Sequence, residues 1–312
     1  MARHFPRNLT RRRLFSTGFT AVTAALILPH ISFATTEGSD VRALAFDDGA
    51  VIAGSDAGLW RIADDQAAHL AAPSAVAALA THPARPGTVY AALRGGGLRR
   101  SPDGGENWAQ ADAGLPSAPI LSLTAAAHDP DMLYAAVAGD GLWRSEDAGA
   151  HWEFVMDRPY LNGAEHDVLG LVSVGNPTGM GGIWLYAGTA AGLTRVPDCF
   201  CRWQDVTAGD AMDALAAGET PAAAEPLPAG VPVRSLALSP EAPERIYAGL
   251  ESGLWASTDA GVNWSLVSPE PVSALAVDPA DPLHIVAAHA GGLDVSRDGG
   301  ARWTSITFPE ES

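Results

Sequence analysis

The sequence predicts an all-β chain whose short antiparallel units repeat six times and close into a ring, and three observations lead there. The eight-residue pattern Ser-x-Asp-x-Gly-x-x-Trp occurs four times, at Ser101 to Trp108, Ser145 to Trp152, Ser257 to Trp264 and Ser296 to Trp303. A Gly-Leu pair precedes each copy and occurs more often, as Gly58-Leu59, Gly97-Leu98, Gly141-Leu142, Gly192-Leu193, Gly253-Leu254 and Gly292-Leu293. Successive glycines of these pairs lie 39, 44, 51, 61 and 39 residues apart, in the range of propeller blades once insertions lengthen two of them.

Within each repeat four short apolar runs recur, as in Val272 to Val277, His284 to Ala288, Gly292 to Ser296 and Arg302 to Ile306. Pro, Gly and Asp clusters separate them, which reads as strands joined by hairpins. β-Branched and aromatic residues concentrate in the runs, and no useful helical period appears beyond the first residues of the chain. One four-stranded sheet of this size cannot cover both of its faces. Stacking six of them radially buries each against its neighbours and leaves only short edges. Residues 35–312 are therefore expected to form a six-bladed β-propeller of four-stranded antiparallel blades.

Residues 1–34 read differently. Arg11, Arg12 and Arg13 precede Leu14-Phe15, an apolar stretch runs from Gly18 to Ile31, and Ser32-Phe33-Ala34 offers a small-x-small cleavage site. This resembles a twin-arginine export signal, with cleavage expected between Ala34 and Thr35. A membrane anchor is the alternative, but the apolar run falls short of the ~20 residues a span requires, and Pro29 and His30 interrupt it. The resemblance implies a periplasmic or secreted protein with no membrane contact once the leader is removed.

The repeated octapeptide has a physical reading as a hairpin lock. The carboxylates of Asp103, Asp147, Asp259 and Asp298 can accept hydrogen bonds from turn amides, and Gly105, Gly149, Gly261 and Gly300 permit positive φ. Trp108, Trp152, Trp264 and Trp303 then cover the turns and pack between blades. A damaged fifth copy at Val196 to Trp203 keeps Asp198 and Trp203 but carries Val196 for Ser and Phe200 for Gly, while the first repeat has no copy. Identical aspartates in successive blades answer a repeated structural need, so no catalytic role is assigned to them. Trp60, Trp143 and Trp255 directly follow the Gly-Leu pair, and core packing is preferred over a carbohydrate platform. On these residues the chain resembles the Asp-box, or bacterial neuraminidase repeat, propellers of sialidases, sortilin-type receptors and photosystem II assembly factors. That resemblance implies a propeller and leaves the reaction open.

Composition narrows the partners. The formal charge is −17, and loss of the first 34 residues, with five arginines and no acid, takes it to −22. Such a surface argues against nucleic acid and anionic lipid. The chain contains no lysine, which excludes Schiff-base chemistry. No cofactor and no closed metal site are indicated.

If the lock joins third and fourth strands, the links from second to third strand and from one blade to the next emerge on the opposite side, where propellers commonly bind ligands. Two long insertions emerge there, Asp157 to Asp167 and Ala208 to Val231. The first is chemically rich, with Tyr160, Glu165 and His166; Tyr90, Tyr134, Tyr186 and Tyr247 instead share one repeated strand position. Aligning the first strands as Val-x-small-Leu puts Arg42 and Arg234 at one register, against Ala77, Leu121, Leu169 and Ser273 elsewhere. Both arginines are expected near that mouth, gripping an anion or held in inter-blade ion pairs. Short links add Asp56, Arg94, Asp140, Glu251 and His289 to the same rim.

Cys199 and Cys201 occupy the damaged lock. A disulfide across that turn would compensate for the missing Ser and Gly in an oxidising compartment; a thiol-metal or redox pair is the alternative.

The expected function is that of an exported, non-catalytic propeller serving as a protein-binding or complex-assembly module. The first alternative is a glycoside hydrolase similar to sialidases, for which the resemblance requires three convergent arginines, a Tyr nucleophile assisted by Glu, and an acidic proton donor. No third arginine shares the register of Arg42 and Arg234, and Tyr160 and Glu165 lie in one insertion. The second alternative is a small-ligand or metal-binding disc that uses the acidic rim.

Overall fold

The computed structural model describes residues 41–63, 66–70, 75–178, 182–207, 216–220 and 223–306. The leader expected over residues 1–34 lies outside the described residues.

Residues from Val41 onward form six radial antiparallel sheets. Blade 1 holds β1 (Ala43–Asp47), β2 (Ala50–Gly54), β3 (Leu59–Ala63) and β4 (Gln66–Leu70), and blade 2 holds β5 (Val76–Ala80), β6 (Val89–Leu93), β7 (Leu98–Ser101) and β8 (Ala109–Gln110). Blade 3 holds β9 (Ile120–Ala126), β10 (Asp129–Val137), β11 (Gly141–Ser145) and β12 (Glu153–Asp157). A two-stranded hairpin, β13 (Tyr160–Leu161) with β14 (Ala164–Glu165), interrupts the path to blade 4. Blade 4 holds β15 (Val168–Val174), β16 (Trp184–Thr189) and β17 (Gly192–Pro197), and an isolated bridge between Arg195 and Gln204 marks where its outermost strand runs. Blade 5 holds β18 (Val233–Ala237), β19 (Ile246–Leu250), β20 (Gly253–Ser257) and β21 (Ser265–Ser268). Blade 6 holds β22 (Ala274–Asp278), β23 (Asp281–His289), β24 (Gly292–Ser296) and β25 (Thr304–Ile306).

The innermost strands β1, β5, β9, β15, β18 and β22 contact one another in that order, and β22 returns to β1, so the ring is closed. Each sheet is too narrow to hold its own core, and the six apolar clusters lie between blades. The closing one joins Val41, Leu44, Phe46 and Trp60 of blade 1 to Ala274, Val286, Ala288 and Leu293 of blade 6. Across that seam Ser273 Oγ donates to Val41 O at 3.1 Å. One such bond contributes about 1 kcal/mol net, against roughly 2 kcal/mol for each Val or Leu taken out of water, so apolar burial dominates the closure.

The octapeptide hairpins join third and fourth strands and share one hydrogen-bond set. In blade 2, Ser101 Oγ–H donates to Asp103 Oδ1 at 2.8 Å and accepts from Gly105 N–H at 2.8 Å, while Asn107 N–H donates to Asp103 Oδ1 at 2.9 Å. Blades 3, 5 and 6 repeat it around Ser145 and Asp147, Ser257 and Asp259, and Ser296 and Asp298. A side-chain hydrogen bond from Asn107 is the largest cause holding the Asp103 carboxyl at a pKa of about 2, and one from His151 does the same for Asp147, also at about 2. At Asp259 burial opposes the shift, but hydrogen bonds from Asn263 and Ser257 outweigh it and the pKa is lowered.

The tryptophans split by blade. Trp152 and Trp264 are buried, whereas Trp108, Trp203 and Trp303 are half-buried.

The damaged fourth lock is closed differently. Val196 has no hydroxyl, Cys199 and Cys201 are disulfide-bonded with Cα atoms 5.5 Å apart, and Phe200 adopts φ +52° where the other locks have Gly. Asp198 uses its backbone N–H, which donates to Ile183 O at 3.0 Å. Among the described residues the carboxylate-to-amide set of the other locks is not repeated there.

Candidate functional site

First strands alternate between blade and axis. Val41 and Val233 are buried between blades, so the next residues, Arg42 and Arg234, face the other way, toward the centre of the ring. The six residues of that register, Arg42, Ala77, Leu121, Leu169, Arg234 and Ser273, all line one axial cavity of about 490 Å³. This mouth opens on the side of the second-to-third links, opposite the locks.

Deeper along the axis, Leu44, Leu79, Leu123, Leu171, Leu236 and Leu275 form a collar, one leucine from each blade. Beyond the collar Phe46, Thr81, His82, Pro240 and Pro279 line a vestibule on the lock side. His82 is held below the usual imidazole range, mainly by burial.

A third arginine joins the mouth. Arg94 sits in the β6–β7 link, where its N–H donates to Ala75 O at 2.9 Å and Gly96 and Gly97, with φ +92° and +89°, turn the chain tightly. It lines the same cavity as Arg42 and Arg234. Register reasoning on first strands could not find it, because a turn between other strands carries it; the signal was its place in a short link, which does not specify direction.

Acids organise these guanidiniums. Arg94 Nη1 is 2.5 Å from Asp56 Oδ1, and Arg42 Nε lies 3.7 Å from the same oxygen. The hydrogen bond from Arg94 is the largest cause lowering the Asp56 pKa. Arg234 Nη2 is 2.7 Å from Glu251 Oε1. The Arg42–Asp56 and Arg234–Glu251 pairs therefore lie within single blades, whereas Arg94–Asp56 crosses from one blade to the next. Arg42, Arg94 and Arg234 thus share one cavity rim with the acids Asp56 and Glu251. Planar donor forks above an apolar collar suit a carboxylate or another oxyanion.

The structure does not bring Tyr160, Glu165 and His166 to this cavity. They belong to the β13–β14 hairpin, turned by Asn162 and Gly163 at φ +52° and +86°. Tyr160 is 67% exposed, and its O–H donates to Gly163 O at 2.9 Å. Glu165 pairs with Arg158, which also reaches Asp167 at 3.4 Å, and His166 Nε2 lies 3.1 Å from Leu161 O. A tyrosine and a glutamate so engaged do not form a nucleophile pair beside the arginines. Of the remaining rim residues, Asp140 accepts from Trp143 Nε1–H at 2.6 Å and His289 faces Asp294 at 3.0 Å. Among the described residues no group of three or more His, Cys, Asp or Glu is placed to hold a metal ion.

No protein-family profile and no curated protein matches the chain. Solved structures do. A GH74 xyloglucanase from Xanthomonas campestris superposes with a TM-score of 0.55 at 20% identity over 84% of this chain and 52% of its own. A GH74 enzyme from Niastella koreensis gives 0.58 at 15% identity over 85% and 44%. An extracellular domain assigned to a hybrid two-component system of B. thetaiotaomicron gives 0.55 at 15% identity over 85% and 34%. The chain thus spans about half or less of these proteins. At such identities the likeness is one of fold.

Proposed function

We propose that this protein is an exported, non-catalytic Asp-box propeller that binds a protein partner at its axial mouth, where an acidic segment or a chain-terminal carboxylate meets Arg42, Arg94 and Arg234. The convergence of three guanidiniums from blades 1, 2 and 5 on one axial cavity carries this reading. The donor chemistry supports it, because a planar guanidinium fork can hold a carboxylate by two parallel hydrogen bonds, which favours an acidic segment over a neutral one. The β13–β14 hairpin, on the link from blade 3 to blade 4, offers the exposed Tyr160 as an aromatic contact. Export rests on the leader of residues 1–34, and the protein recovered from the exported fraction is expected to begin at Thr35.

Binding of short acidic peptides, with free and amidated C-termini, tests the mouth. Replacing Arg42, Arg94 and Arg234 together by Ala should weaken binding about tenfold or more, which is roughly 1.4 kcal/mol. Unchanged affinity removes the proposal. So does turnover of xyloglucan, aryl glycosides or sialosides that Tyr160→Phe abolishes, since the hairpin would then be catalytic.

A further inference from the structure

We propose that the Cys199–Cys201 pair is a thiol–disulfide exchange site that oxidises the paired thiols of a protein or peptide reaching the lock-bearing face. This stands independently of what the mouth binds. Both cysteines are exposed, and they are joined in the fourth lock. Exposed disulfides are the labile ones, and stabilisation by a cross-link shrinks with the loop it closes, here a loop of one intervening residue.

The turn is anchored without the sulfur bridge. Phe200 N–H donates to Pro197 O at 2.8 Å and Asp198 N–H to Ile183 O at 3.0 Å. Arg195 and Gln204 exchange both backbone hydrogen bonds, at 3.0 and 2.8 Å, and Trp203 Nε1–H donates to Asp157 O at 2.8 Å. The Phe200 ring lies 6.0 Å from that of Tyr134, in the apolar cluster between blades 3 and 4. The pair can therefore open and close while the blade stays folded, which a turnover site requires and a staple does not.

A substrate thiolate attacks Sγ of Cys199; the bond to Cys201 breaks as the mixed disulfide forms, and Cys201 leaves as a thiolate that takes up a proton. The second substrate thiol loses its proton and attacks the substrate sulfur, releasing the substrate disulfide and the Cys199 thiolate, which is protonated in turn. Two electrons and two protons pass from substrate to pair, and a second disulfide compound, such as oxidised glutathione, restores the pair by the reverse exchange. Either sulfur can be the one attacked, with the roles of Cys199 and Cys201 then exchanged.

The folded protein, a dithiol peptide and oxidised glutathione test this, with peptide disulfide followed by mass. Several-fold acceleration over oxidised glutathione alone is expected, and it is lost in Cys199→Ser with Cys201→Ser. Equal acceleration by the double variant overturns the proposal. Should that variant not fold, alkylation of the parent protein in reduced glutathione decides. Thiols that become alkylated while near-ultraviolet dichroism is unchanged support exchange, and thiols that appear only as the propeller unfolds overturn it.

Discussion

Ser257 illustrates what one hydroxyl does in a lock. It is 1% exposed, donates to Asp259 Oδ1 at 2.7 Å and accepts from Gly261 N–H at 2.9 Å. Ser257→Ala leaves that buried amide without a partner, and urea unfolding should show a loss of about 2 kcal/mol. The lock aspartates add a pH dependence with a definite sign. Asp103 and Asp147 have folded-state pKa values of about 2, below the unfolded range near 4, so their contribution is complete above roughly pH 5 and fades as pH falls through 2. The urea midpoint should drop across that window, and Asp103→Asn with Asp147→Asn should flatten the drop; an equally steep fall in the double variant would assign acid unfolding to other groups. The lock residues were legible in the sequence because they repeat. The turn's other requirement was not: the position before each lock glycine also has positive φ, yet Ala148 and Ala260, both at +58°, fill it in two blades and hide it. Equally hidden was the reach of two of the repeated tyrosines, Tyr90 and Tyr186, whose hydroxyls donate to the next blade's lock at Ala148 O and Ala260 O.

Blade 1 shows how an element survives without a lock. Asp47, at the end of β1 and 3% exposed, accepts from Arg61 Nη1–H at 2.8 Å and from Gly87 N–H of the next blade at 2.7 Å. Arg61 stands three residues after its Gly-Leu glycine, where Arg100, Arg144 and Arg195 stand in blades 2 to 4. Truncating Asp47 to Ala removes a buried acceptor from both donors, and thermal and urea unfolding should register a loss of about 3 kcal/mol. Strand 2 carries the second constraint. A Cβ on Gly188 would sit 2.5 Å from Val233 O and 2.7 Å from Val233 Cγ1 across the interface of blades 4 and 5. Gly188→Ala is accordingly expected to destabilise by roughly 1–3 kcal/mol through overpacking, and a neutral result would mean the two blades slide apart freely. Strand number and first-strand register could be read ahead because hydrophobic alternation states which residues turn to the axis. Links follow no such alternation, so a short link could place Arg94 on the rim but not state that it lines the cavity, and a long insertion could not state whether Tyr160 does.

At the scale of the whole molecule, the ring closes between its first and last blades without sharing a sheet. β1 to β4 and β22 to β25 each come from one contiguous stretch, so among the described residues no strand is borrowed across the seam. Ile306, at the end of β25, packs into the same apolar cluster as Val41, which places the two ends of the ring side by side. A propeller closed this way has no privileged starting blade: what matters is that all six interfaces form, each contributing apolar burial of similar kind. The exposed stretch around Gly218 and Glu219, between blades 4 and 5, lies outside every apolar cluster named above. A circular permutant that joins Ile306 to Val41 through a short Gly-Ser linker and opens the chain between Gly218 and Glu219 should therefore unfold in one cooperative transition close to that of the parent. The same protein with Val272 to Ile306 deleted exposes two apolar faces at once, on blades 1 and 5, and should be rapidly digested by protease. A permutant that is digested equally fast would mean that the native order of the blades is what holds the ring.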